Sequence, residues 1–145
     1  MVLRDRMDRF SVSMVPNRVL LYTCSRDVFA TMLVHRYYNL QQDILSISFL
    51  ENEITLYVNV LDGNGAVHEV LRNICAFDPR VYHVIDIHED IPGIDHIGII
   101  YRISKRFVEK EIPILYLNTY GHNLVLVSED HMTKAWDVLQ EIAYV

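Results

Sequence analysis

Between Gly98 and Lys110 the apolar residues Ile99, Ile100, Ile103 and Phe107 recur three or four apart, while Arg102, Lys105, Arg106 and Glu109 fall elsewhere on the wheel. That spacing predicts an amphipathic helix. Upstream, Val81-Tyr82-His83-Val84-Ile85-Asp86-Ile87 is rich in β-branched residues and ends near the turn-forming Ile91-Pro92-Gly93, which predicts a strand. Downstream, Ile112–Leu117 reads as another strand, with Pro113 lacking an amide donor and so fitting an edge, a bulge or a strand start. Leu124–Val127 follows after a polar turn and pairs with it, because so few residues separate the two. Ser128 offers an N-cap, and Glu129 and Asp130 put negative charge at the positive end of a last helix. That helix presents Met132, Ala135, Trp136, Leu139 and Ala143 on one face. The order from Tyr82 to Tyr144 is therefore β-α-β-β-α.

The first half repeats this order less sharply. Phe10–Val15 alternates like a strand stopped by Pro16. Val19–Tyr22 alone fits a strand, but Leu21, Cys24, Val28, Met32 and His35 keep helical spacing, so a helix is expected to about Arg36. Ile44–Phe49 and Ile54–Val58 flank Glu51-Asn52 as a hairpin. Asp62-Gly63-Asn64-Gly65 reads as a loop, followed by a short helix from about Ala66 to Ile74. Six strands and four helices result, whereas two complete βαββαβ units need eight strands. The expectation is two intertwined units, 1–80 and 81–145, in which Val81–Ile87 serves both and Val2–Asp8 supplies another edge. Tyr144-Val145, left after the last helix, is expected to be too short to pair.

Composition narrows the function classes. The chain has 145 residues, about the size of one ordinary domain, and leaves little room for an appended catalytic domain. No apolar run approaches the roughly 20 residues a membrane-spanning helix needs, and the first nine residues carry both charge signs without an apolar signal core, so an intracellular, cytoplasmic protein is expected. A net charge of −6 argues against a nucleic-acid partner. The one basic cluster, Arg102, Lys105 and Arg106, reads as a solvated helix face. Two cysteines, Cys24 and Cys75, are in no metal-like spacing and read as small buried hydrophobes.

No catalytic pattern emerges. None of the seven histidines is at HxxxH or HxH spacing, Gly63-Asn64-Gly65 lacks the third glycine of a dinucleotide fingerprint, and GxSxG and Walker sequences are missing. Neither an enzyme nor a cofactor or metal is expected. Two features carry binding chemistry. Gly98, read as opening a helix, would offer amides to a carboxylate, and Asn118, Thr119, His122 and Asn123 form a polar hairpin end.

The run Asp95-His96-Ile97-Gly98-Ile99-Ile100-Tyr101-Arg102-Ile103-Ser104-Lys105, then Glu111 to Tyr120, then Leu124-Val125-Leu126-Val127 with Ser128-Glu129-Asp130, resembles an ACT domain. More narrowly it is similar to the paired ACT subfamily, which includes small bacterial double-ACT proteins and each half of the animal cytosolic arginine sensors of the TOR pathway. The resemblance spans nearly the whole chain, closely after Asp95 and loosely before it. It implies an α+β fold of two intertwined ferredoxin-like (βαββαβ) units with antiparallel sheets and helices on one face. It also implies an amino-acid effector bound at an ACT–ACT interface, at positions matching Ile97 and Gly98 in the loop, Pro113 and Ile114 at the strand start, and Asn118, Thr119, Tyr120, His122 and Asn123 in the hairpin. Asn123 stands where the family usually carries Asp, which removes a charge-assisted contact worth ~1.5–3 kcal/mol to a cationic ligand. His122 replaces a small polar residue, and Pro113 removes a backbone donor. The expected function is thus a non-enzymatic regulatory module that binds a small amino acid and signals to a partner protein, in nutrient sensing for example. The alternative is a ligand-free adaptor or dimerisation protein of the same fold. A homodimer would restore the four-unit arrangement of the sensors.

Overall fold

The structure is a computed structural model, and it describes residues 2–5, 10–34, 40–89, 96–119 and 121–144. The expected turn at Ile91-Pro92-Gly93 lies outside them, as do His35 and Arg36 at the end of the expected first helix. The chain divides into two compact units: Asn17–Val81, and a discontinuous one made of Met1–Pro16 and Tyr82–Val145.

The continuous unit begins in β2 (Phe10–Ser25), whose residues from Asn17 onward belong to it. Then come a helical turn α1 (Arg26–Val28) that runs on as a π-helical segment Phe29–Leu33, the hairpin β3 (Ile44–Leu50) and β4 (Glu53–Asn59), α2 (Gly65–Ile74), and β5 (Ala76–Phe77). β4 pairs antiparallel with both β3 and β2, and β5 pairs with β2 at Tyr22 and Thr23. The sheet order β3-β4-β2-β5 is that of a complete βαββαβ unit. Ile54, Leu56 and Val58 alternate along β4 on one face. With Tyr22 they form a core against Leu33 and Leu71, so both helical elements cover the same face.

Two sequence expectations fail in this unit. Pro16 does not stop the first strand. It falls between the ladder with β1 (Val2–Asp5), which reaches Ser13, and the ladder with β4, which starts at Val19, so neither loses a donor there. Nor is Leu21 helical. Leu20, Tyr22 and Cys24 alternate toward the core, and the helix waits for Arg26, where the Ser25 hydroxyl accepts from the Val28 amide at 3.2 Å. The apparent helical spacing of Leu21, Cys24 and Val28 is a coincidence of strand alternation with helix onset.

The discontinuous unit contains β1, the start of β2, β6 (Tyr82–Glu89), α3 (His96–Glu109), β7 (Leu115–Asn118), β8 (Asn123–Ser128), α4 (Met132–Ile142) behind a 3-10 turn Glu129–His131, and β9 (Ala143–Tyr144). Its strands lie in the order β9-β1-β2-β6-β8-β7. The missing closing strand is supplied by the beginning of β2, whose Val12 is 1% exposed in a core with Ile85, Ile87, Ile103, Phe107, Val125, Val127 and the apolar face of α4. The strand used by both units is therefore β2, where the sequence pointed to Val81–Ile87. The residues after α4 do pair, β9 lying on β1.

Local details also differ. On α4 the buried face is Met132, Ala135, Val138, Leu139 and Ile142, while Trp136 is half-buried at its margin and Ala143 has left the helix. The expected strand at Ile112 begins only at Leu115, because Ile112 completes the end of α3. Its amide donates to the Phe107 carbonyl (2.9 Å) and that of Glu111 to Val108 (3.0 Å), with Glu111 at φ 57°. This is a Schellman motif, sealed by burial of Ile112 with Phe107. The basic face of α3 is not merely solvated. Arg106 pairs with Glu109 (3.0 Å) and with Glu141 of α4, and an Arg102 Nη donates to the carbonyl of Ile142, the last residue of α4, at 3.4 Å. A cation is thereby set at the negative end of that helix.

Candidate ligand-binding site

Of the residues singled out from sequence, Asn118, Thr119, His122 and Asn123 gather at one end of the discontinuous unit, whereas Pro113 and Ile114 precede β7 at the opposite end of that strand. β6 runs antiparallel to β8 with Ile87 opposite Asn123, so the end of β6, from which the chain proceeds to α3, and the β7–β8 turn share one end of the sheet. Asn118 faces Asn123 across the last ladder position, and the Thr119 amide donates to the His122 carbonyl at 2.9 Å, which closes the hairpin. α3 begins at His96, two residues earlier than the glycine read as its opening. Ile97 and Gly98 are thus inside the first turn, and their amides remain among the four N–H groups that have no partner within the helix. Tyr120 lies outside the described residues. Pro113 is exposed ahead of β7, whereas Ile114 packs against the core.

Two residues that sequence reasoning passed over complete the cluster. Asp86 of β6 meets His122 Nδ1 at 3.2 Å, and the Tyr116 hydroxyl donates to Asn123 Oδ1 at 3.2 Å. The His122 ring is 60% exposed and Asp86 is 19% exposed, so the carboxylate is mostly sheltered while its partner faces solvent. The signal for Asp86 is present as a lone charge inside the apolar run Val84-Ile85-Asp86-Ile87. Its significance depends on the register, which brings it beside a turn residue 36 positions away. The hairpin end thus offers an imidazole, two carboxamides and a phenol, while Asp86 meets the imidazole from the opposite face of the sheet, because its neighbours Ile85 and Ile87 point into the helix-covered core. This set can meet both an ammonium and a carboxylate group, although His122 already partners Asp86 and Tyr116 already partners Asn123.

The continuous unit holds two other polar or concave features. Its described residues leave an apolar groove of about 580 Å³ lined by Phe29, Val34, Gln41, Ile44, Leu45, Ser46, Ile47 and Phe49, a set with no ionisable group to recognise an amino acid's charges. The second is a buried chain of hydrogen bonds. The Tyr22 hydroxyl meets His68 Nδ1 at 2.6 Å, and His68 Nε2 meets the Asn59 carbonyl at 2.9 Å. A carbonyl can only accept, so Nε2 carries the proton and Nδ1 accepts from the tyrosine. Burial raises the Tyr22 pKa, partly offset by the hydrogen bond and charge of Arg72. Asn64 donates to the Asn59 carbonyl (2.8 Å) and to Asp43 (3.1 Å). No buried side-chain polar atom lacks a partner among the described residues, so this network is a structural tie. Among the described residues no three His, Cys, Asp or Glu side chains are grouped to hold a metal ion, and no helix is long and apolar enough to cross a membrane.

The fold recurs in solved structures at low sequence identity. A Vibrio cholerae protein of unknown function, described as a possible transport protein, aligns over 94% of this chain and 91% of its own with a TM-score of 0.67 and 12% identity. A putative C-terminal regulatory domain of aspartate kinase from Porphyromonas gingivalis W83 aligns over 94% of this chain and 98% of its own (TM-score 0.62, 17% identity). Escherichia coli aspartokinase III in complex with lysine and aspartate aligns over 90% of this chain and 31% of the enzyme (TM-score 0.51, 15% identity). No curated protein matches the sequence. The chain therefore has the α+β, ferredoxin-like architecture of aspartate kinase regulatory domains, and its residues 79–141, from just before β6 to the last turn of α4, match the model of the ACT domain family.

Proposed function

We propose that the chain is a non-enzymatic cytoplasmic regulatory module that binds a small amino acid at the hairpin end of its discontinuous unit and signals its presence to a partner protein. The observation that carries this reading is the polar hairpin end, where Tyr116, Asn118 and Asn123 share the helix-covered face of the sheet and His122 reaches Asp86 on the other. It lies within the segment that matches the ACT domain. The α3 amides would receive the ligand carboxylate, and the side-chain oxygens of Asn118 and Asn123, on the helix-covered face, the ammonium group. Two similarities support a regulatory role. The Porphyromonas domain is a regulatory piece of almost the same extent, and the E. coli enzyme was solved with two amino acids bound. Nutrient sensing is the setting in which such a module would act.

Thermal-shift screening of the full chain against the twenty amino acids tests this. A ligand at 100 times its Kd adds about 2.7 kcal/mol to stability, and His122→Ala or Asn118→Ala is expected to remove most of that shift while leaving the unliganded Tm nearly unchanged. A shift that survives both substitutions would put the ligand elsewhere. If no amino acid shifts the melting point, the second reading stands: an adaptor or dimerisation protein of the same fold. One observation favours that alternative. Among the described residues β3 pairs only with β4, and Phe49 and Leu50 near its end are 52% and 69% exposed, an edge suited to strand pairing with a second copy. Light scattering would then report a dimer.

A further inference from the structure

Cys24 and Cys75 are far apart in sequence, yet the β2–β5 ladder brings them together. Tyr22 is opposite Phe77 and Thr23 opposite Ala76, and one further step of the same antiparallel register sets Cys24 opposite Cys75. Cys75 ends α2 with extended backbone (φ −123°, ψ 153°), so it continues the geometry of the strand it precedes. Cross-strand neighbours have Cα atoms about 4.5–5.5 Å apart and side chains on the same face, inside the 4.4–6.8 Å range that a disulfide spans. Both side chains pack against the same core cluster. Neither is fully buried, in contrast to the expectation from sequence.

We propose that Cys24 and Cys75 are a redox couple that closes to an intramolecular disulfide in the presence of a disulfide oxidant such as oxidised glutathione, and reopens with a dithiol. In the first exchange the Cys24 thiol loses its proton and the thiolate attacks the S–S bond of glutathione. A mixed disulfide forms, and one glutathione thiolate leaves and takes up a proton. In the second, the Cys75 thiolate attacks the Cys24 sulfur, the protein disulfide forms, and the second glutathione leaves as a thiol. Two protein thiols together give up two electrons and two protons, which the oxidant gains. The bridge fastens the end of α2 to β2 within the continuous unit.

Only thiolates react. Burial pushes the Cys75 thiol up to about 12, with the neighbouring Cys24 as a further cause, and burial raises Cys24 as well. Closure is therefore slow at pH 7 and accelerates with pH, which suits a couple that ignores brief exposure to oxidant and responds to a sustained shift in poise.

The test uses the full chain, reduced, freed of reductant and incubated with oxidised glutathione at pH 7 and pH 9. It is then trapped with iodoacetamide and weighed. The expected product takes up no alkyl group, is about 2 Da lighter than the reduced chain, runs as a monomer without reductant, forms faster at pH 9 and melts several degrees higher until dithiothreitol is added. Cys24→Ser and Cys75→Ser should each stop at a glutathione adduct on the remaining thiol. Should either variant fail to fold, the wild-type mass still decides. Two alkyl groups on the folded chain after oxidation, glutathione on both cysteines without closure, or bridges only between chains would each overturn the assignment.

Discussion

Glu111 holds a left-handed backbone (φ 57°) because the Schellman closure of α3 needs that conformation at its first residue beyond the cap. An L-residue with a Cβ is strained there by roughly 1–2 kcal/mol, whereas glycine is not. Glu111→Gly is therefore expected to stabilise the chain by about 0.5–1 kcal/mol once glycine's larger unfolded-state entropy is subtracted, read as a rise in the urea midpoint at constant m-value. Glu51, with φ 51° in the β3–β4 turn, is held differently. Its carbonyl accepts from the Arg26 side chain, and Asn52 Oδ1 accepts from the Arg26 amide at 3.2 Å. That turn is tied to the start of α1, so its conformation is held by a residue 25 positions away as well as by its own Asn52.

Among the elements, β2, β4 and α2 are joined by the Tyr22–His68–Asn59 chain as well as by apolar packing. Removing the tyrosine hydroxyl strands His68 Nδ1 in a site that is 3% exposed, so Tyr22→Phe is expected to cost about 1–2 kcal/mol while leaving far-UV circular dichroism unchanged. A Tm equal to that of the wild type would mean that water or another donor replaces the hydroxyl. The legibility of the elements follows their independence from distant partners. α3 and α4 can be read because their apolar stripes are local, and the β3–β4 hairpin because its strands are separated by two residues. β2 is easily misread because Pro16 and the chance spacing of Leu21, Cys24 and Val28 are local signals, whereas what keeps the chain extended is pairing with strands far along the sequence. The candidate site divides in the same manner. Its hairpin polar residues are visible in the sequence, but Asp86 and Tyr116 join them only through strand register.

At the scale of the molecule, the interruption of one unit by another makes the two halves unequal. Residues 17–81 carry a whole βαββαβ sheet with its own core, while residues 82–145 lack the strand that contributes Val12 and Met14. A fragment of residues 17–81 is accordingly expected to melt cooperatively, and one of residues 82–145 to remain unfolded until residues 1–16 are supplied as a peptide. Folding of 82–145 by itself, seen as a sigmoidal thermal transition, would contradict the role given to β2. The same shared strand sets a timetable during synthesis. The interior unit is complete on the ribosome before β6 exists, so the leading segment of β2 must wait while some 60 further residues are made, several seconds at ordinary elongation rates. Throughout that interval a strand rich in valine and methionine has the edge meant for β6 unclaimed, and chaperone demand should fall on this segment of the nascent chain and not on the finished protein.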